Sequence, residues 1–76
     1  MDKIVLNVKS DKGECEFHCS STNRIAQILY MYWLRVGLAD HYNYSKIETI
    51  TGDVLSREAT VEECGLYSGQ VLVISY

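Results

Sequence analysis

Gln70-Val71-Leu72-Val73-Ile74-Ser75-Tyr76 is the stretch that decides the architecture. It is an almost continuous apolar run, the pattern of a central strand covered on much of both faces rather than a half-solvated one. A chain that ends on its most apolar strand is expected to place it in mid-sheet, beside the first strand. That pairing would be parallel. The first strand is legible at the other end: in Lys3 to Lys9, Ile4, Leu6 and Val8 share one face, and Asn7 and Lys9 the other. Ser10-Asp11-Lys12-Gly13 then reads as a tight turn. Glu14 to Cys19 alternates again, with Cys15, Phe17 and Cys19 inward and Glu14, Glu16 and His18 outward. The chain thus opens on an antiparallel hairpin.

Between the hairpin and the last strand the period changes. Ile25, Ile28, Leu29, Tyr32 and Val36 recur at helical spacing. Ser20-Ser21-Thr22 offers N-cap oxygens. Gly37 permits the left-handed conformation that ends a helix, with Leu38 folding back onto it. A helix from about Thr22 to Val36 is expected to lie across the sheet. Ala39 to Ser45 reads as a polar, aromatic loop, with His41 solvated. Lys46 to Thr51 reads as a third strand. Ile47 and Ile50 cannot both point inward from a regular strand, so a bulge or an early end is expected there. Thr51-Gly52-Asp53 is a turn and Val54-Leu55 a short strand. Thr60 can cap one helical turn, Val61 to Cys64, stopped by Gly65, after which Leu66 enters the core. The order is ββαβββ, an α+β chain with a mixed sheet and one helix.

Composition sets the boundaries. Seventy-six residues make one domain, 1–76. With 47% hydrophobic and 22% charged residues the chain falls among folded globules, not disordered chains. No apolar run approaches the ~20 residues that span a bilayer, and no membrane insertion is expected. The start, Met-Asp-Lys-Ile, lacks the basic and apolar regions of a secretory leader. Ten acidic residues against seven basic ones, without a basic cluster, argue against nucleic acid as a partner. Three cysteines, an odd number, point to reduced thiols in the cytoplasm. The Asn43-Tyr44-Ser45 sequon is then silent.

No residues assemble into a catalytic or cofactor site on these patterns. Cys15, His18 and Cys19 invite a metal reading, but residues four apart on a strand lie about 13 Å apart and His18 points to the opposite face. Cys15 and Cys19 read as small apolar side chains on a buried face. Cys64 sits beside Glu62 and Glu63, whose charge raises a thiol pKa. No glycine-rich phosphate loop is present. The expectation is a binding module, not an enzyme, with no cofactor and no metal.

The last third carries a resemblance. Asp53-Val54-Leu55, Thr60-Val61, Glu63-Cys64-Gly65-Leu66, Gly69-Gln70, Leu72 and Ile74 resemble the closing segment of ubiquitin-like, β-grasp domains. The resemblance extends over nearly the whole chain and implies a β-grasp fold. It also carries a departure. Conjugated members and sulfur carriers end in Gly-Gly, where only glycine lets an extended tail enter an activating enzyme. Here the sequence reads Ile74-Ser75-Tyr76. Iron–sulfur relatives need four thiolates, one more than this chain has. Cys64-Gly65-Leu66 and Trp33 on the helix are most similar to the YukD/EsaB-like accessory proteins of type VII secretion. That likeness implies a cytoplasmic, non-conjugated protein acting through protein partners. An interaction domain belonging to a larger protein is the alternative.

Two surfaces are candidates for contact. At roughly 100° per residue, Asn23, Gln27, Tyr30, Met31 and Leu34 fall on the helix face away from the sheet, with Trp33 on its shoulder. That face reads either as scattered surface hydrophobicity or as a partner-binding or self-association face. The second surface is the outer side of the sheet, where Val71 and Val73 point out if Leu72 and Ile74 point in. It reads equally as a central strand shielded by its neighbours.

Overall fold

A computed structural model describes residues 3–76; Met1 and Asp2, on which the reading of the chain start partly rests, lie outside the described residues. Strands β1 (Lys3–Ser10) and β2 (Gly13–Ser20) form the expected hairpin, paired from Lys3↔Ser20 to Ser10↔Gly13. The two-residue turn closes through Gly13 at φ +138°, a conformation side chains disfavour. β4 (Val71–Ser75) runs parallel to β1, with Val8 opposite Leu72. β3 (Lys46–Thr49) pairs antiparallel with β4, and the sheet order is β2-β1-β4-β3. The most apolar strand therefore does lie in mid-sheet beside the first, its Leu72 and Ile74 buried.

The third strand takes the early end. Ile47 is buried, β3 stops at Thr49, and Ile50 stands in the following turn, 69% exposed. The strand expected at Val54-Leu55 is reduced to one bridge, Val54 to Glu48, with the Leu55 N–H donating to the Ile47 carbonyl. The sheet thus has four strands rather than five. The chain leaves the ladder after Leu55 because its next residues serve the helix.

Helix α1 (Ile25–Arg35) is shorter at its start than Thr22, and the Ser-Ser-Thr hydroxyls do not cap it. Its orphan N–H groups are satisfied by backbone from later in the chain. Ile25 donates to the Ala59 carbonyl and Ala26 to that of Arg57, while the Gln27 amide oxygen accepts the Arg24 N–H. The C-terminus follows expectation. Leu38 N–H bonds Trp33 and Gly37 N–H bonds Leu34, the paired bonds of a Schellman motif, with Gly37 at φ +79°. Thr60 caps the turn at Val61 as expected: its hydroxyl accepts the Glu63 N–H, and the Glu63 carboxylate accepts the Thr60 N–H. Val61 and Leu66 enter the core on either side of that turn.

Tyr32, fully buried on α1, ties the helix to the hairpin tip. Its hydroxyl donates to the Gly13 carbonyl (2.6 Å) and accepts from Ser10 (2.7 Å), whose oxygen accepts the Lys12 N–H. Tyr32→Phe keeps the ring and deletes both bonds. It is expected to cost about 1–2 kcal/mol, read as a lower urea midpoint, with faster amide exchange in the Asp11-Lys12 turn.

Candidate functional site

The helix face away from the sheet carries Tyr30, Met31 and Leu34, exposed at 45%, 46% and 46%. They sit on α1, whose opposite side packs Ile25, Ile28, Leu29 and Tyr32 into the core. The Tyr30 ring meets that of Tyr42 edge-on at 5.4 Å, so the apolar face continues onto the neighbouring loop.

Trp33 is not part of this surface. It is fully buried, which corrects its placement on the shoulder as a partner-binding residue. The cause lies in Ala39 to Ser45. That stretch is not an open loop: Ala39–Asn43 forms a 3-10 helix that packs against α1 and closes over the indole. The Trp33 Nε1–H donates to the buried Ser45 hydroxyl at 2.8 Å. His41 is likewise no solvated loop residue. Its side chain is only 16% exposed, and its ring lies 4.8 Å from Trp33 and 5.0 Å from Tyr76. Tyr76 also meets Trp33 edge-on and donates its hydroxyl to Asp11 at 2.7 Å. That bond to the carboxylate holds the Tyr76 phenol above its ordinary pKa.

On the other flank of α1 a groove of about 240 Å³ separates the helix from β2, lined by Phe17, His18, Ile28, Met31 and Arg35 among others. The Arg35 guanidinium stacks over Phe17 at 4.6 Å and donates to the Glu16 carbonyl. Met31 therefore belongs both to the exposed helix face and to this groove.

On the outer sheet face, Val71 and Val73 are half-buried. The register settles their neighbours: Val73 lies between Lys9 and Glu48, and Lys46 rather than Ile47 shares the face. Beside Val71 a hollow of about 450 Å³ is bounded by the β3 turn and by Tyr67, Gly69 and Gln70. Ile50 and Tyr67 (65% exposed) line it, and Val54 is 57% exposed. Ile50 could have been assigned to this surface from the period break at Ile47; the role of Tyr67 had no signal in the pattern.

Two of the three thiols are raised above their ordinary pKa. Burial pushes Cys19 up, and its Sγ–H donates to the Ile4 carbonyl at 3.3 Å. Cys64 is raised first by burial and second by Glu63, so the adjacent charge named from sequence is the smaller cause. In a chain with Cys15 and Cys19 changed to serine, Glu63→Gln is expected to speed Cys64 alkylation modestly at fixed pH. The amide still accepts the Thr60 N–H, and burial keeps the thiol pKa above its ordinary value. An unchanged rate would show that Glu63 does not act on the thiol. His18 lies on the face opposite Cys15 and Cys19 and bonds Glu16 at 3.1 Å. Among the described residues no group of three or more His, Cys, Asp or Glu is placed to hold a metal ion, and no helix is long and apolar enough to cross a membrane.

No family model matches the chain, and no curated protein matches it in sequence. Solved structures do match in shape. A structure described as molecular mimicry of SUMO promoting DNA repair superposes with TM-score 0.88 at 16% identity, over 100% of this chain and 94% of that one. The N-terminal ubiquitin-like domain of the 4931431F19Rik protein gives 0.78 at 14%, over 96% and 73%. ATBAG1 in complex with HSP70 gives 0.79 at 15%, over 95% of this chain and 39% of that one. With one helix packed on a mixed sheet whose parallel central pair joins the first and last strands, the chain has the ubiquitin-like β-grasp fold.

Proposed function

We propose that this chain is a protein-interaction module of the non-conjugated ubiquitin-like kind, which docks partners on the outer face of α1. The observation that carries this reading is the exposure of Tyr30, Met31 and Leu34 together on a helix otherwise anchored in the core. Contiguous exposed apolar patches mark contact sites, and Tyr and Met are enriched at interfaces. The narrower assignment, a cytoplasmic accessory of type VII secretion, rests on the sequence likeness at Cys64-Gly65-Leu66 and at Trp33. A domain of a longer protein is the competing assignment, supported by ATBAG1, of which this chain spans 39%. Flanking domains or neighbouring secretion ATPase genes separate the two.

Changing Tyr30, Met31 and Leu34 together to charged residues tests the surface. Recovery of partners from the source cell should be abolished while circular dichroism and the melting temperature stay close to those of the parent. Retained binding in a folded triple variant would refute the helix-face assignment. A second docking face is favoured by the hollow beside Val71, because exposed Ile50 and Tyr67 line it. Changes at Val71 and Val73 are its probe.

A further inference from the structure

Strand β2 forms one margin of the sheet, and an unpaired strand margin is a template for another strand. Which of its residues face outward follows from the turn. The two-residue loop makes Ser10 and Gly13 a hydrogen-bonded pair. Alternation then turns the backbone groups of Cys15, Phe17 and Cys19 toward β1, and those of Glu14, Glu16, His18 and Ser20 toward the open edge. Ser20 is already occupied at both groups: its N–H bonds the Asn23 side chain and its carbonyl accepts the Asn23 N–H. The Glu16 carbonyl accepts from Arg35 with one lone pair. Among the described residues, nothing pairs with the outward backbone groups of Glu14 and His18.

We propose that β2 pairs with β2 of a second copy of this chain, antiparallel, with Phe17 on the two-fold axis. The register is selected by charge. An axis at Cys15 sets Glu14 against Glu16 twice, and an axis at Glu16 sets that residue against itself. An axis at His18 sets two imidazoles together; Ser20, committed to Asn23, takes no part in the ladder at either the His18 or the Phe17 axis. Only the axis at Phe17 sets Glu16 of each copy opposite His18 of the other. Both side chains are exposed, at 57% for Glu16 and 53% for His18, and lie on the outer face of the sheet. On the inner face the same register stacks Phe17 on its mate and sets Cys15 opposite Cys19 of the second copy. It also joins the two grooves lined by Ile28 and Met31 into one, on a continuous eight-stranded sheet. This contact shares Met31 with the outer face of α1 and is otherwise separate from it.

Sedimentation equilibrium from micromolar to millimolar protein at pH 6 provides the test. The parent should pass from monomer to dimer. Glu16→Lys or His18→Glu alone should weaken the dimer about tenfold, through two like-charged cross-strand pairs. The double change E16K/H18E should restore it, because the pair is re-formed with its signs exchanged. Diamide supplies an independent readout. Cys15 and Cys19 of the second copy form a non-hydrogen-bonded pair in this register, about 4.5 Å apart at Cα and within disulfide reach. Two thiols can therefore pass their hydrogens to diamide and leave a covalent dimer, which Cys15→Ser abolishes. A parent that stays monomeric at millimolar concentration overturns the proposal. So does a dimer indifferent to all three charge variants, or one lost only when Tyr30, Met31 and Leu34 are changed.

Discussion

Replacing Trp33 with alanine is expected to cost about 3–5 kcal/mol, a large share of the stability of a domain this size, roughly 4–11 kcal/mol. The indole is fully buried, and three rings pack against it: Tyr32 at 5.1 Å, His41 at 4.8 Å and Tyr76 at 5.4 Å. Truncation to a methyl group leaves a cavity that the 3-10 helix can fill only by moving. It also strips Ser45 of its donor in a buried position. The variant should be largely unfolded or lose its urea transition, followed by far-ultraviolet circular dichroism because Trp33 is the only tryptophan. Trp33→Phe separates the two losses. It keeps most of the apolar volume and removes the N–H, so it should cost less than the alanine. Ser45→Ala, which orphans the indole N–H, should cost about 1–3 kcal/mol. The double change W33F/S45A should then cost less than the sum of the singles, because no unpaired polar group is left. Strict additivity would show that the bond contributes nothing.

The burial of Trp33 also shows where periodicity stops being informative. A helical wheel gives the angle of a residue about the axis, and Trp33 sits on a shoulder by that measure. Whether a shoulder is covered depends on what the following chain does. The polar letters of Ala39 to Ser45 hide a 3-10 turn, with His41 inside it and Ser45 just beyond it both facing inward. The start of α1 was obscured for a related reason. Its first donors find their acceptors on Arg57 and Ala59, more than thirty residues later, so local cap chemistry at Ser20-Ser21-Thr22 had nothing to predict. Features determined within a few residues were legible: the Asp11-Lys12 turn, the Gly37 stop and the Thr60–Glu63 box. The parallel pairing of β1 with β4 is long-range, yet it was legible too. A fully apolar strand has only one place to go in a small sheet. Of the contact surfaces, the helix face follows from spacing, since Tyr30, Met31 and Leu34 are simply the residues the core stripe excludes. The hollow beside Val71 does not, because it depends on where β3 stops.

Arg57→Met is expected to cost about 2–4 kcal/mol, from two carbonyls losing a charged donor at about 1.5–3 kcal/mol each, less what the methionine stem recovers by packing. In the structure no carboxylate pairs with Arg57 among the described residues; one terminal nitrogen donates to the carbonyls of Tyr42 and Ser45, both at 2.6 Å. The guanidinium plane covers the Tyr42 ring at 4.4 Å, and the Arg57 carbonyl accepts the Ala26 N–H. One residue thereby fastens the 3-10 segment over Trp33 and caps the first turn of α1. Methionine preserves the backbone and the apolar stem, so the helix bond to Ala26 survives and the damage should concentrate at residues 42–45. Amide exchange there should quicken more than in β1 or β4, and Tyr42 should lose its fixed position against Tyr30. That second consequence reaches the docking face. If the apolar surface of α1 binds as a unit with Tyr42, Arg57→Met should weaken partner recovery in a chain that is still folded. If Tyr42 plays no part, recovery should match that of the parent. Arg57→Lys tells charge from geometry: the ammonium sits one bond nearer the backbone than the Arg57 nitrogen that reaches both carbonyls, and it cannot lay a planar cation on Tyr42. It is expected to recover less than half of the lost stability, and a full recovery would assign the effect to charge alone.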